Sequence, residues 1–287
     1  MMANNVNVTF PELFTTVWLK NFDKSTGMVG KVNSRFEKEL SKHGDTVHVD
    51  RIGDFSVGSY TVNGTIQYSN ATVTQDSLIL NQTPYIATKL DDLDNAMSNK
   101  DLGAKFIERM MVAIRIHTDS HLLGQVANFT HLVGTVAAPT VLTGAAVIAA
   151  LRRAARVLDD ANVQEEGRCM PVPPALYEVL GNFSDEKQTE FTMANIGKKE
   201  LYREVAGIKL FKTTNLPIAN NGTNDYFTLP LFIEKVTIDH VQRLNPKNVE
   251  TLRLQSTFGK GMRMLLLYGT KTFEPNTGVR FHVRATA

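Results

Sequence analysis

From residue 44 to residue 83 the sequence breaks into short β-prone runs, 46–52, 60–62, 65–68, 71–75 and 78–80, with the period of two that marks strands. Between two of them stands Asn63-Gly64, the pair best suited to a tight hairpin turn because both residues tolerate positive φ. The faces of this region carry mostly Thr, Ser, Asn and Gln with single Val or Tyr residues, so a ribbon built from it buries little apolar area on either side. An isolated two-stranded ribbon is marginal in water. The segment therefore needs a surface outside itself to lie on, and an assembling protein is expected in preference to an enzyme.

The rest of the chain has the means to form a core. Its 287 residues are 43% hydrophobic and 21% charged, which suits about two globular domains. Lys plus Arg number 31 against 29 Asp plus Glu, and a net charge of +2 lacks the basic excess of a dedicated nucleic-acid binder. A single cysteine, Cys169, excludes an intramolecular disulfide and fits a reducing compartment. The first residues have no basic region followed by an apolar core, and the apolar stretch 145–151 is far below spanning length, so no export and no membrane contact are expected.

Thr9-Phe10-Pro11-Glu12 reads as a capped helix start, and Leu13, Phe14, Val17, Trp18 and Phe22 continue it at helical spacing. Ser98-Asn99-Lys100-Asp101 opens the longest helix, 98–125, about 40 Å long. Leu102, Phe106, Met110, Ala113 and His117 step along one of its faces, with Ile107, Met111, Ile114, Thr118 and Leu122 beside them. An alanine-rich helix is predicted over 143–161, a strand over 168–172, a helix from Pro174 through Leu180 and a strand over 207–211. Asn220 to Asp225 reads as a loop, and 231–238, 249–254, 262–268 and 279–283 as further strands.

Catalytic and ligand-binding signatures are weak throughout. His117 and His121 stand one helical turn apart, a spacing that can put two imidazoles on one metal. Thr118 stands where a zinc protease needs its glutamate, however, and no third ligand follows, so helix packing is the simpler reading. Cys169 has no glycine elbow, helix N-terminus or nearby histidine to activate it and reads as a buried structural thiol. Asp91, Asp92 and Asp94 lack the glycine turn and distal glutamate of a calcium loop and read as a solvated turn. Gly27-Met28-Val29-Gly30-Lys31 has too short a glycine spacing for a phosphate loop, and Val32 follows the lysine. Gly259-Lys260-Gly261 lacks a preceding strand and a following helix start, and both glycine stretches are expected to be turns. Arg152, Arg153 and Arg156 form a basic helical patch, with Asp159 and Asp160 a turn on, which favours a solvated or salt-bridged face.

In order along the chain, several segments resemble the major capsid protein of tailed double-stranded-DNA bacteriophages. They are 32–40 leading into Gly44-Asp45-Thr46-Val47-His48-Val49, the long helix, the run 168–177, the stretch 207–217 and Tyr268-Gly269-Thr270-Lys271. The resemblance implies an α+β Hong Kong 97-type capsid fold. Its parts would be an N-terminal arm (1–43), an extended β-hairpin loop (44–90), a peripheral domain with a long spine helix (91–140), a mixed α/β axial domain (141–240) and C-terminal strands completing both (241–287). It further implies a virion protein, made in the host bacterial cytoplasm, that assembles into pentamers and hexamers of an icosahedral shell around double-stranded DNA. A separate scaffolding protein and a portal would be partners, and no cofactor or metal is implied. Phe55, Tyr60, Asn63, Gly64 and Tyr68 would be intersubunit contacts on the loop, and Arg152, Arg153 and Arg156 a basic patch on the inner face. An encapsulin-type bacterial compartment shares the fold and is the near alternative. A metal-dependent hydrolase using His117, His121 and an aspartate, and a DNA-binding module using the arginine patch, are alternatives of other classes.

Overall fold

Near-continuous apolar runs without alternation signal strands covered on both faces, and the two clearest, Asp225–Ile233 (β9) and Arg168–Val172 (β5), lie at the middle of the largest sheet. In this computed structural model, residues 27–37, 46–53, 55–66, 68, 70–92, 102–186, 203–244, 249–255 and 258–285 are described. The helix predicted at 9–22, the cap at Ser98 and Asp94 lie outside the described residues.

The large sheet is mixed. Its order runs from His131–Val133 (β4) through Val279–Arg284 (β14), β9, β5 and Ile208–Lys212 (β7) to Arg203–Val205 (β6), and Ile218–Asn220 (β8) pairs with β9. The β14–β4 and β5–β7 pairs are parallel and the others antiparallel. The helix Gly144–Asp160 (α2) supplies Val147, Ile148, Leu151, Ala154, Ala155 and Leu158 to the same core, spaced as one helical face. Leu176 and Leu180 of Pro174–Glu186 (α3) join them, so this helix runs a turn and a half beyond the predicted end at Leu180.

A second layer forms on the longest helix, Leu102–Gly124 (α1). Met110 and Ile114 pack with Met262, Met264, Leu266 and Tyr268, and partly buried Ile86, Leu90, Phe106 and Ile107 complete the cluster. Ile86, Leu90, Met262 and Met264 come from a three-stranded antiparallel sheet ordered Val249–Arg253 (β11), Gly259–Leu265 (β12), Tyr85–Asp91 (β3), and Phe106 and Ile107 from α1 itself. Ala113 and His117, expected on the apolar stripe of α1, are exposed. The buried face turns instead through Met110, Ile114, Thr118, Leu122 and Leu123, where the helix meets both layers.

Four further expectations change. Strand β3 was not anticipated, because the acidic residues after it read as a turn; Ile86, Thr88 and Leu90 alternate with exposed neighbours and place it half-buried. The stretch 259–261 is strand rather than turn, and Gly259 is required there, since a Cβ would come within 2.5 Å of the Leu90 carbonyl oxygen. The run 262–268 divides at Leu266 between β12 and Leu267–Lys271 (β13), which pairs with Asp239–Leu244 (β10) in a separate two-stranded sheet. Likewise the apolar stretch 231–238 ends as a strand at Ile233, and a turn with positive φ at Lys235 leads into β10.

Candidate functional site

The extended loop grows from an antiparallel pair, Thr46–Ile52 (β1) with Val73–Ile79 (β2), in register from Thr46 opposite Ile79 to Ile52 opposite Val73. The separate runs expected at 71–75 and 78–80 are thus one strand. The ladder closes with the Gly53 N–H donating to the Thr72 carbonyl at 2.8 Å. Beyond it, the runs expected as strands at 60–62 and 65–68 form no strand among the described residues. The turn expected on Asn63-Gly64 forms one residue earlier: the Gly64 N–H donates to the Thr61 carbonyl at 2.8 Å, so Val62 and Asn63 are its central residues, and of the expected pair Asn63 alone has positive φ, 65°. A turn needs only local chemistry, whereas a ladder beyond Gly53 would need a buried face that these side chains do not offer.

The loop presents apolar side chains to solvent. Phe55, Tyr60, Ile66 and Tyr68 are exposed, as are Val57 and Val62, and Val57 is 99% accessible. Asn63 and Gly64 are exposed at the turn. Burying one large apolar side chain contributes roughly 1.5–3 kcal/mol, so six within fourteen positions leave a substantial apolar surface uncovered in this chain. Val57, Val62 and Ile66 are exposed apolar residues that the sequence reading does not single out, although isolated apolar residues in a polar stretch were the available signal.

In contrast to its outer part, the base of the loop is firmly rooted. Val47, Leu78 and Leu80 pack with Val241 of β10 and Phe273, with Phe36, Val49 and Leu267 around them. The backbones of Gln82 and Tyr268 exchange two hydrogen bonds of 3.0 Å. Gly269 admits this approach, because a Cβ there would lie 2.4 Å from the Ile79 carbonyl oxygen. Lys271 pairs with Asp76 at 2.8 Å and Arg51 with Glu274 at 2.5 Å, each joining the loop base to the strand or turn beneath it. No local pattern announces these pairs, whose members are 195 and 223 positions apart.

The remaining sequence candidates occupy ordinary structural positions. Arg152, Arg153 and Arg156 share the exposed face of α2, and Arg156 lies 3.6 Å from Asp160. His117 is exposed, whereas His121 turns its ring edge-on to Tyr268, 5.4 Å between centroids, and its pKa is lowered by burial and then by His117. His240 touches the same tyrosine, with its pKa lowered to about 4 by burial and by His121. Among the described residues no group of three or more His, Cys, Asp or Glu side chains is arranged to hold a metal ion. The Cys169 thiol is buried in β5 and pushed up to about 12, chiefly by burial, which leaves no thiolate for chemistry at neutral pH. The N–H groups of Gly27 and Met28, the donors a phosphate would need, already bind the buried Asp119 carboxylate at 3.1 and 2.8 Å. Asp91 ends β3, and Asp92 pairs with Arg253 at 2.7 Å.

No protein-family model and no curated protein sequence matches the chain. Solved structures do. A chain of Mycobacterium phage Che8 superposes with a TM-score of 0.75 at 22% identity, covering 96% of this chain and 97% of that one. A chain of the capsid of cyanophage P-SCSP1u gives a TM-score of 0.77 at 16% identity, covering 100% and 97%. The mature capsid of bacteriophage PhiM1 gives 0.70 at 14% identity, covering 95% and 91%. The chain has the Hong Kong 97-type capsid fold. The cyanophage match spans the whole chain, so loop, long helix and large sheet enter this capsid fold together and in one order. At such identities it is the fold that is shared, and residue roles rest on the geometry above.

Proposed function

We propose that this chain is the shell-forming subunit of a tailed-phage capsid, assembling with copies of itself into pentamers and hexamers around double-stranded DNA. The observation that carries the reading is the loop: a rooted base, an outer part without a ladder, and apolar side chains standing in solvent. Identical subunits that each offer one such element and one receiving surface make heterologous contacts, which close into rings. Rings of five and six tile a closed shell. Phe55, Tyr60, Asn63, Gly64 and Tyr68, with Val57, Val62 and Ile66, are the proposed contact residues.

In this reading α1 is the spine of a peripheral domain, and the large sheet with α2 and α3 forms most of an axial domain, near the boundaries 91–140 and 141–240. The arginines of α2 would meet DNA on the inner face without sequence preference, and a scaffolding protein and a portal would take part in assembly. The protein would be made in the host cytoplasm and reside in the virion.

Negative-stain microscopy of the full chain, expressed alone and with the candidate scaffolding protein, is the direct test. Closed shells are expected, and deletion of residues 56–69 is expected to abolish them while subunits still fold. Normal shells from the deletion, or dispersed monomers under every assembly condition, would overturn the proposal. Nucleic acid inside the shells supports the phage reading, and a packaged enzyme would shift it to a bacterial compartment.

A further inference from the structure

Asp239 opens β10 and is fully buried, yet only one of its carboxylate oxygens is held. Oδ1 accepts a hydrogen bond from the Asn33 side-chain amide at 2.8 Å and lies 3.4 Å from Arg35 Nε. Oδ2 is buried with no hydrogen-bond partner. A charge buried with half its acceptor capacity unused is costly, and a proton on the free oxygen removes that cost. The main chain brings the same two places together. The Asn33 N–H donates to the Ile238 carbonyl at 2.9 Å, the His240 N–H donates to the Asn33 carbonyl at 2.8 Å, and the Lys235 N–H donates to the Lys31 carbonyl at 2.7 Å.

The surrounding charges are already committed. Lys271, opposite Asp239 in the β10–β13 register, reaches Asp76, and Glu274 in the turn beyond is held by Arg51. Lys31 lies 3.8 Å from Glu234. His240 projects to the other face of β10, against Tyr268. Arg35 is the cation facing the carboxylate. Its guanidinium lies 4.6 Å from the Phe36 ring, which meets Phe273 edge-on, so the pull of Asp239 also seats Phe36 at the loop base.

We propose that Asp239 is a proton-operated clamp on residues 31–37: ionised, it holds Arg35 and the Asn33 amide against β10, and protonated at Oδ2 it releases Arg35 and loosens the segment. Burial raises its pKa to about 6, with Glu274 adding to the rise and Arg35 and Asn33 opposing it. His240, lowered to about 4, stays neutral across that range and leaves the carboxyl as the group that switches. The clamp works within one subunit and does not depend on the capsid reading.

A nitroxide label on the full chain at Glu37→Cys reads the device directly, because Cys169 is buried and escapes labelling. The immobilised component of its spectrum is expected to dominate at pH 8 and to be lost towards pH 5, with a midpoint near the carboxyl pKa of about 6. With Asp239→Asn or Arg35→Gln added, the label is expected to be mobile at every pH. A wild-type spectrum constant between pH 8 and pH 5, or a full pH step retained in Asp239→Asn, would overturn the clamp. Should Asp239→Asn fail to fold, Arg35→Gln decides alone, since that side chain is 57% exposed and a retained step there excludes the mechanism.

Discussion

Arg168 carries a guanidinium 1% exposed to solvent, and its environment explains why the large sheet and α2 stay together. Nε donates to the Gln164 carbonyl at 3.0 Å, Nη1 to Ala155 at 3.4 Å, and Nη2 to the Val163 carbonyl and the Asp159 carboxylate, each at 2.7 Å. A strand residue thereby bonds one carbonyl within α2 and two in the stretch that follows it, tying helix, connection and sheet together. Replacing Arg168 by Met removes all four of these hydrogen bonds and is expected to cost about 3 kcal/mol in urea unfolding. Asp159→Asn removes only a 59% exposed partner and should cost under about 1 kcal/mol. Equal losses from the two would refute this account. Asp239 predicts the opposite sign. Its folded pKa of about 6 lies above the ordinary aspartate value of 3.8, so between those values the folded chain keeps a proton the unfolded chain has lost. Its contribution is most favourable below the unfolded pKa and falls as pH rises through the folded one. The stability of Asp239→Asn relative to the parent should therefore increase between pH 4.5 and pH 7.5, and an unchanged difference in urea midpoints would contradict it. Neither residue advertises itself in sequence, because an arginine or aspartate in a strand pattern reads as an outward-facing position until its neighbours are known.

At the scale of elements, close backbone approach sets what the side chains can do. Gly269 lets β13 lie against the end of β2, and an added methyl would meet the Ile79 carbonyl oxygen at 2.4 Å. Gly269→Ala is expected to force the two apart, lowering stability by roughly 1–3 kcal/mol and increasing hydrogen exchange in β1 and β2. Gly64→Ala at the loop turn meets Thr61 instead and should leave exchange in β1 and β2 unchanged, because that turn carries no ladder. If the two variants perturb β1 and β2 alike, the loop base is not rooted where the close approach lies. Periodicity identified β1, β5, β14 and the two longest helices within a few residues, since each has one apolar face or is apolar throughout. It failed at β3 and at 259–268. There acidic or glycine residues mimic turn chemistry, and one apolar run serves two different sheets.

For the molecule as a whole, removing residues 56–69 should leave the thermal unfolding midpoint nearly unchanged, because the buried clusters draw nothing from that stretch. A marked fall in the midpoint would show that the loop contributes to the subunit itself. The sequence alone determined that residues 44–83 could not bury their own surface, that long α1 and α2 would form, and that apolar strands would make a mixed core. Those properties follow from local composition and period, which state how much apolar area each segment has and on which side. The tertiary structure decided the rest. It joined β2 to β13 and residues 31–35 to β10, set Lys271 against Asp76 and Arg51 against Glu274, and left the described residues of the loop's outer part without a ladder. These outcomes depend on which distant segments meet, and a one-dimensional pattern of polarity does not specify its partner.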